Sequence, residues 1–206
     1  MMSELSEAHK TRIKSVYGIN PEETNQLISL SPSDIETRFG FRVEGGGIGI
    51  LYNPTAPLAE QTLRVRLDNP VQNPQTGKSA KYLSPSGQQN RLFVPEGVTL
   101  QEGRIIITEG EFKALAAAQR GIPCVALSGI WNWKVGAIIE GWKLSDRDSL
   151  LPELKRDWGG QTVILVYDSD ITPQHPAWTA FPRLAEQLYA LGAETVKIIS
   201  LPGGAA

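Results

Sequence analysis

The second half of the chain alternates short apolar runs with helical patterns, and this alternation restricts the fold more than any other feature. Arg104 to Thr108 is a β-branched apolar run that predicts a buried strand. Gly110 to Arg120 has apolar residues at helical spacing and ends before Gly121, which favours a helix. Pro123 to Leu127 then predicts a second strand. A strand, a helix and a strand in this order favour a right-handed crossover between parallel strands.

The same alternation continues towards the carboxyl terminus. Thr162 to Tyr167 predicts a third strand, Phe181 to Leu191 a helix, and Thr195 to Leu201 a fourth strand. Ile130 to Gly160 is a long irregular connection that contains four of the five tryptophans. This favours an insertion packed onto the sheet edge, and a binding wall is the alternative. We therefore predict an α/β domain over residues 98–206, with a mainly parallel sheet flanked by helices.

Residues 1–97 lack the regular alternation of strands and helices, and their sequence predicts a smaller α+β subdomain. An Asn-Pro pair at 20–21 and a Ser-Pro pair at 31–32 are helix-start signals, so the first 40 residues are expected to form short helices. Gly49 to Tyr52 and Thr62 to Leu67 are the best strand candidates in this part of the chain.

Charge gives this chain no general affinity for nucleic acid, but one window is basic. The sequence has 20 Lys and Arg against 22 Asp and Glu, with a formal net charge of −2. The window from Gln61 to Val94 contains five Lys or Arg residues and only one acidic residue, Asp68. Strand alternation places Arg64 and Arg66 on the same face. Two interpretations stay open, a solvated sheet edge or a surface that contacts phosphate.

Several classes of protein are excluded or disfavoured by the sequence. Cys124 is the single cysteine, so neither a disulfide nor a cysteine-rich zinc site can form, and it is expected to pack in the core. His9 and His175 lie in terminal or Pro-rich segments and do not indicate a catalytic triad. No apolar stretch approaches the roughly 20 residues of a membrane span, and no secretion signal is evident. We therefore expect a cytoplasmic protein without a membrane partner.

Acidic residues directly follow two of the predicted strands. Glu109 comes after the first strand of the α/β domain, and Asp168 and Asp170 come after the third. Because ligands of open α/β sheets bind beyond the carboxyl ends of the strands, we expect these three acids to converge there. Carboxylates without a nearby His or Cys suit Mg²⁺ or Mn²⁺. For each acid alone, a helix cap or a solvated turn is the alternative.

The motifs around these acids resemble a known family. ITEGEFKAL contains Glu109, a Ser-Gly pair follows the second strand, and VYDSD contains Asp168 and Asp170. In this order they resemble the Toprim domain, the Mg²⁺-binding module of bacterial-type primases, topoisomerases and some nucleases. KYLSPSG and RLFVPEG, at 81–87 and 91–97, resemble the part of the bacterial primase core that precedes its Toprim domain. LSEAH and SGIWNWK resemble, more closely still, a less characterised Toprim-like family of plasmid, phage and other mobile-element replication proteins, commonly fused to helicase or ATPase regions.

The resemblance implies a primase-like nucleotidyltransferase core in which Glu109, Asp168 and Asp170 are catalytic and hold Mg²⁺ or Mn²⁺. Its implied partners are a single-stranded DNA template, nucleotides, and a helicase or ATPase region in the same or another chain. The residues expected to contact nucleic acid or phosphate are Arg64, Arg66, Lys81 and Lys113. A metal-dependent nuclease using the same acids and a catalytically silent nucleic-acid-binding or docking module are the alternatives.

Three departures from the primase pattern modify these expectations. Lys113 occupies the position where bacterial primases usually carry an acid, so it is expected to remove a metal contact or to add a phosphate contact. Ile171 follows the second Asp in place of the usual small residue, which indicates a reshaped loop. Related sequences continue past the fourth strand, so the domain is expected to be truncated at its carboxyl end.

Overall fold

The computed structural model describes residues 4–56, 60–72, 77, 79–101, 103–135, 138–139, 142–143 and 149–201. The chain forms two compact units, divided between Gln88 and Gln89. Residues 89–97, which the sequence analysis places in the first domain, fall in the second unit. The physical reason is that Phe93 is fully buried and exchanges two backbone hydrogen bonds with Ala126, with N–O distances of 2.8 and 2.9 Å.

The described part of the first unit is a four-stranded antiparallel sheet with two α-helices. Its elements in chain order are α1 (Glu7–Tyr17), β1 (Leu27–Leu30), α2 (Pro32–Phe39), β2 (Gly47–Leu51), β3 (Leu63–Gln72) and β4 (Ser79–Leu83). The strands lie in the order β1-β2-β3-β4. Each strand pairs antiparallel with its neighbour.

The local sequence explains where the helices of this unit begin. Ser31 and Asp34 form a reciprocal capping box and Pro32 is the first residue of α2, which confirms the start predicted there. The earlier Asn-Pro pair begins only a short 3-10 helix, Pro21–Glu23. The prediction of helices throughout the first 40 residues is wrong at Leu27–Leu30, because this apolar run pairs with the buried strand β2.

Both faces of this sheet bury apolar residues. Ile48 and Ile50 of β2 are fully buried and lie on the face of their β3 partners Arg66 and Arg64. The other face packs against α2 and holds a separate apolar core cluster. The buried residues of this core are Ile28, Leu30, Ile35, Phe39, Leu51, Leu63, Val65 and Leu67. Arg64, Arg66 and Asp68 alternate with the core residues of β3 and therefore lie on the opposite face. That face receives α1, whose His9 contacts Asp68.

The second unit is built on a parallel sheet. Its elements are β5 (Arg104–Glu109), α3 (Glu111–Ala118), β6 (Cys124–Leu127), the short strands β7 (Ile138–Ile139) and β8 (Trp142–Lys143), then β9 (Thr162–Tyr167), α4 (Ala180–Ala190) and β10 (Thr195–Ser200). The main sheet has the order β10-β9-β5-β6. Every neighbouring pair in it is parallel. The predicted α/β class, a mainly parallel sheet flanked by helices, is confirmed.

The core of the second unit lies around the two central strands. Ile107 of β5 and Leu165 of β9 pair in register on one face and are fully buried, whereas Ile106 and Ile164 on the other face are half-buried. Cys124 is 3% exposed, and burial raises the pKa of its thiol to about 12, so its predicted place in the core is confirmed. The long connection also contributes to the core, through Leu150, Leu151, Leu154 and Trp158. Among the described residues, no helix is long and apolar enough to span a membrane.

Candidate functional site

The carboxyl ends of β5 and β9 lie side by side in the parallel sheet. Thr108 pairs in register with Val166, so Glu109 and Asp168 both come just beyond this pair. Glu109 is half-buried, the side chain of Asp168 is 29% exposed, and Asp170 is exposed. Two of the three predicted acids therefore sit at adjacent strand ends, and the third lies in the turn that follows β9.

Gly110 forms the sharp connection between β5 and α3. Its φ of +95° is a backbone conformation that favours glycine, and an added Cβ would meet nothing within 4 Å, so conformation rather than space requires the glycine here. Its N–H donates to the Leu127 carbonyl at 2.9 Å, and its carbonyl accepts from the Lys113 N–H at 3.2 Å. These bonds fix Glu109 between the end of β6 and the first turn of α3.

Lys113 and Asp168 form an ion pair across this edge. Lys113 lies in the first turn of α3, and its ammonium donates a hydrogen bond to Asp168 Oδ1. The two side chains are 47% and 29% exposed, so water screens the pair and its contribution to stability is small. The lysine that replaces the expected acid thus directly neutralises one of the candidate metal ligands.

The turn that carries the two aspartates is anchored in the core. The Ile171 N–H donates to the Asp168 carbonyl at 3.0 Å, and the Ile171 side chain is only 7% exposed. The buried isoleucine holds this turn against the core, and a loop reshaped relative to the primase pattern stays a prediction. With Ile171 turned inward, Asp168 is left half-buried at the edge and Asp170 faces solvent.

Tyr167 holds the segment after this turn against the sheet. Its hydroxyl donates to the Trp178 carbonyl and accepts from the Phe181 N–H at 3.1 Å. Its ring stacks on Phe181 and Trp178, with centroid distances of 4.4 and 4.9 Å. Burial raises the pKa of Tyr167, and the hydrogen bond from Phe181 opposes this effect. Because Tyr167 directly precedes Asp168, this clamp also fixes where the aspartate turn begins.

The donor chemistry of this edge fits a hard divalent cation, since carboxylate oxygens are the ligands that Mg²⁺ and Mn²⁺ prefer. The arrangement of the side chains, however, does not form a complete set of metal ligands. Within the part of the chain that the structure describes, no group of three or more His, Cys, Asp or Glu side chains could hold a metal ion. Glu109, Asp168 and Asp170 therefore remain predicted ligands, and a metal at Asp168 would compete with the Lys113 ammonium for its carboxylate.

Glu111 is an acid of this edge that the sequence analysis does not select. It is the first residue of α3 and is fully buried. A carboxylate in the first turn of a helix interacts favourably with the helix dipole. The sequence signal is the second glutamate of the Glu-Gly-Glu triplet that begins at Glu109.

In the first unit, the structure brings together two of the residues predicted to contact phosphate. The Arg64 guanidinium lies 4.6 Å from the ring centroid of Tyr82. The Arg66 guanidinium lies 5.6 Å from the same centroid and 5.8 Å from that of Tyr17. The prediction that both arginines share a face is confirmed by these contacts. Lys81 is exposed and lies next to Tyr82 in β4, so strand alternation places it on the other face.

Asp68, the one acid of the basic window, is engaged by α1. Arg12 donates to its Oδ1 at 2.9 Å, and His9 Nε2 lies 3.1 Å from the same oxygen. His9 Nδ1 is 2.6 Å from the Ser29 hydroxyl, which also accepts the Ser6 N–H at 2.8 Å. Ser, His and Asp thus meet here, but the hydroxyl lies beneath the start of α1. The arrangement anchors the helix to the sheet.

Comparisons with known proteins identify one relationship. The sequence profile described as a domain of unknown function, DUF3854, matches residues 98–205. This match covers slightly more than half of the chain and includes Glu109, Lys113, Asp168 and Asp170. Neither the curated proteins nor the solved structures give a match to the chain.

Proposed function

The chain belongs to the DUF3854 family, and we propose that it is the Mg²⁺- or Mn²⁺-dependent, primase-like nucleotidyltransferase core of a mobile-element replication protein. The observation that carries the proposal is the adjacency of β5 and β9, whose ends bear Glu109 and Asp168. The order of motifs that resembles the Toprim domain supports the same assignment. The coarser fold, a parallel α/β sheet flanked by helices, is compatible with it.

In this proposal each residue of the edge has a defined task. Glu109, Asp168 and Asp170 would hold the metal, which when bound would neutralise charge on the phosphates of the incoming nucleotide. The primer 3′-hydroxyl would then attack the α-phosphorus, and pyrophosphate would leave as the bond to the β-phosphate breaks. In the alternative assignment, Glu109 would not bind the metal but would accept the proton from that hydroxyl as a general base. Lys113 would turn from Asp168 towards a phosphate oxygen, because a phosphate is the stronger attractor of an ammonium group once the metal neutralises Asp168.

The first unit would guide the single-stranded DNA template. Arg64 and Arg66 stack with Tyr82, and such a cluster offers guanidinium groups to phosphates and flat surfaces to bases. Lys81 would contribute a phosphate contact from the other face of β4. A helicase or ATPase region, in the same protein or a partner, would supply strand separation, and the cytoplasm is the proposed location.

A second candidate function is favoured by the ion pair between Lys113 and Asp168. If that pair persists in the presence of substrate, Asp168 does not bind a metal, and the chain acts as a catalytically silent nucleic-acid-binding or docking module. The two candidates share the DNA-binding surface and differ in the chemistry at the carboxyl edge.

Incubation of the full chain with Mg²⁺ or Mn²⁺ and single-stranded DNA, with and without nucleotides, tests the proposal. We expect extended products that disappear in the Asp168→Asn plus Asp170→Asn variant. Asp157→Asn is the matched control, because Asp157 accepts the Gly159 N–H at 2.9 Å and its amide preserves that acceptor.

Three results would assign another function. Shortened DNA that also depends on Asp168 and Asp170 would indicate a nuclease. Extension that survives the double substitution would place catalysis elsewhere. DNA binding without turnover, unchanged in the double variant, would establish the docking module in place of the enzyme.

A further inference from the structure

The turn that follows β6 holds an aromatic side chain in a fixed position. The Asn132 N–H donates to the Gly129 carbonyl at 2.8 Å, and its side-chain amide donates to the Ser128 hydroxyl at 3.0 Å. A Cβ on Gly129 would lie 3.0 Å from the Asn132 amide nitrogen, so a larger residue would press on the turn. Trp131 occupies the middle of this closed turn.

Two neighbouring tryptophans of this turn have opposite environments. Trp133 is fully buried, whereas Trp131 is 36% exposed. Their ring centroids are 6.5 Å apart, with an interplanar angle of 32°. The Lys134 ammonium lies 4.3 Å from the Trp133 centroid and 5.7 Å from the Trp131 centroid. Trp133 thus anchors the segment in the core, and an open indole with a cation beside it remains at the surface.

This surface belongs to the same edge as the candidate acids. β6 is the direct neighbour of β5 in the sheet, and the Gly110 N–H donates to the carbonyl of Leu127, the last residue of β6. The turn with Trp131 therefore begins beside the point where Glu109 ends β5. An isolated exposed aromatic side chain is ordinary, but a rigid turn, an adjacent ammonium and a position at the ligand-binding edge are features of a built site.

We propose that Trp131 and Lys134 form a nucleotide subsite, in which the Trp131 indole stacks on a nucleobase and Lys134 contacts the phosphate attached to it. The inference rests on the proposed function, since it gives a substrate contact to the same edge of the sheet. Stacking on an indole accepts any base, because every base has a π face. The subsite would therefore add affinity without sequence preference.

Binding of fluorescent probes to the full chain without metal tests the subsite. The probes are a thymidine strand of about ten nucleotides, within the usual site size for single strands, an abasic strand of equal length, and a free deoxynucleoside triphosphate. Trp131→Ala should weaken binding of the thymidine strand by roughly 5-fold to 150-fold and leave the abasic strand unaffected. Ile122→Ala is the matched control, because Ile122 is 43% exposed and precedes β6 at the opposite edge.

A second variant keeps the test decisive if Trp131→Ala folds poorly. Trp131→Phe retains a stacking ring but loses the indole emission. It should bind the strand nearly as tightly, and the strand should quench less tryptophan fluorescence than it is expected to quench in the wild type. Weakening of triphosphate binding as well would identify the free nucleotide as an occupant, and weakening of the strand alone would identify the template.

The failure of this inference is distinguishable from the failure of the proposed function. Equal affinity of Trp131→Ala and wild type for the thymidine strand, or an equal loss on the abasic strand, would overturn the stacking subsite and leave the enzyme proposal intact. An absence of any binding to single strands by the wild type, both without metal and with Mg²⁺ added, would overturn both.

Discussion

Replacing Lys113 by Met should increase the affinity of the carboxyl edge for a divalent cation and hardly change the stability of the fold. Met keeps an unbranched side chain and removes only the ammonium. The Lys113 and Asp168 side chains are 47% and 29% exposed, and exposed ion pairs contribute about 0.2–1 kcal/mol. We therefore expect the free energy of unfolding, measured by urea denaturation, to fall by at most about 1 kcal/mol.

The gain in metal affinity has the same origin. A cation that binds Asp168 must displace the Lys113 ammonium, so removal of this competitor should tighten Mn²⁺ binding by about 1.4-fold to 5-fold. Lys113→Glu should tighten it further, because it adds a carboxylate at the same position of α3. Titration calorimetry or paramagnetic resonance of Mn²⁺ measures the dissociation constants. Lys197→Met is the matched control, since Lys197 is an exposed lysine in β10.

The order of the Mn²⁺ affinities shows whether Lys113 competes with metal for Asp168. Lys113→Glu should bind Mn²⁺ most tightly, then Lys113→Met, and then the wild type together with Lys197→Met. Equal affinity in all four proteins, or weaker binding in Lys113→Glu, would refute the reasoning, because Lys113 would then not compete with metal for Asp168.

Three further predictions follow from other contacts. Mg²⁺ or Mn²⁺ should raise the melting temperature of the wild type, because a cation that binds only the folded state stabilises it. Calorimetry of Asp168→Asn plus Asp170→Asn should show a folded protein without that response, and a retained response would mean that the site is wrongly placed. Arg64→Ala plus Arg66→Ala should reduce the slope of log affinity for single-stranded DNA against log salt concentration by up to about 1.4, at roughly 0.7 per lost phosphate contact. An unchanged slope would show that the two arginines are solvated residues at a sheet edge and do not contact phosphate. Tyr167→Phe should lower the free energy of unfolding by about 1–3 kcal/mol in denaturant titrations, because a buried N–H and a carbonyl lose their partner; a loss below the precision of the titration would contradict the clamp.

The parallel sheet can be predicted from the sequence because strands buried on both faces are continuous apolar runs. Thr162–Tyr167 is one such run, and its observed bounds are those predicted. The first unit is harder to predict, because its strands are short and depend on partners. Leu27–Leu30 becomes β1 only through pairing with β2, and β3 continues to Gln72 beyond the predicted Leu67 because Val71 and Gln72 pair with β4.

The candidate site also has features that can be predicted from the sequence and features that cannot. The position of Glu109 and Asp168 at one edge follows from their places at the ends of two strands, which the sequence shows. The ion pair between Lys113 and Asp168 joins residues 55 positions apart and depends on the strand order and on the turn fixed by buried Ile171. The stacking of Arg64 on Tyr82 likewise depends on the pairing of β3 with β4, for which the loop-like composition before Tyr82 gives no signal.

Lys113 also separates the two candidate functions, because they differ in what neutralises Asp168. In the docking module the ammonium stays on Asp168, and phosphate binding does not depend on metal. In the nucleotidyltransferase, the cation would take the Asp168 carboxylate and a substrate phosphate would take the Lys113 ammonium, so each exchange favours the other. Linkage then requires substrate and metal to strengthen each other's binding by the same factor. A lysine at position 113 is therefore compatible with catalysis, provided that a substrate phosphate accepts its ammonium group.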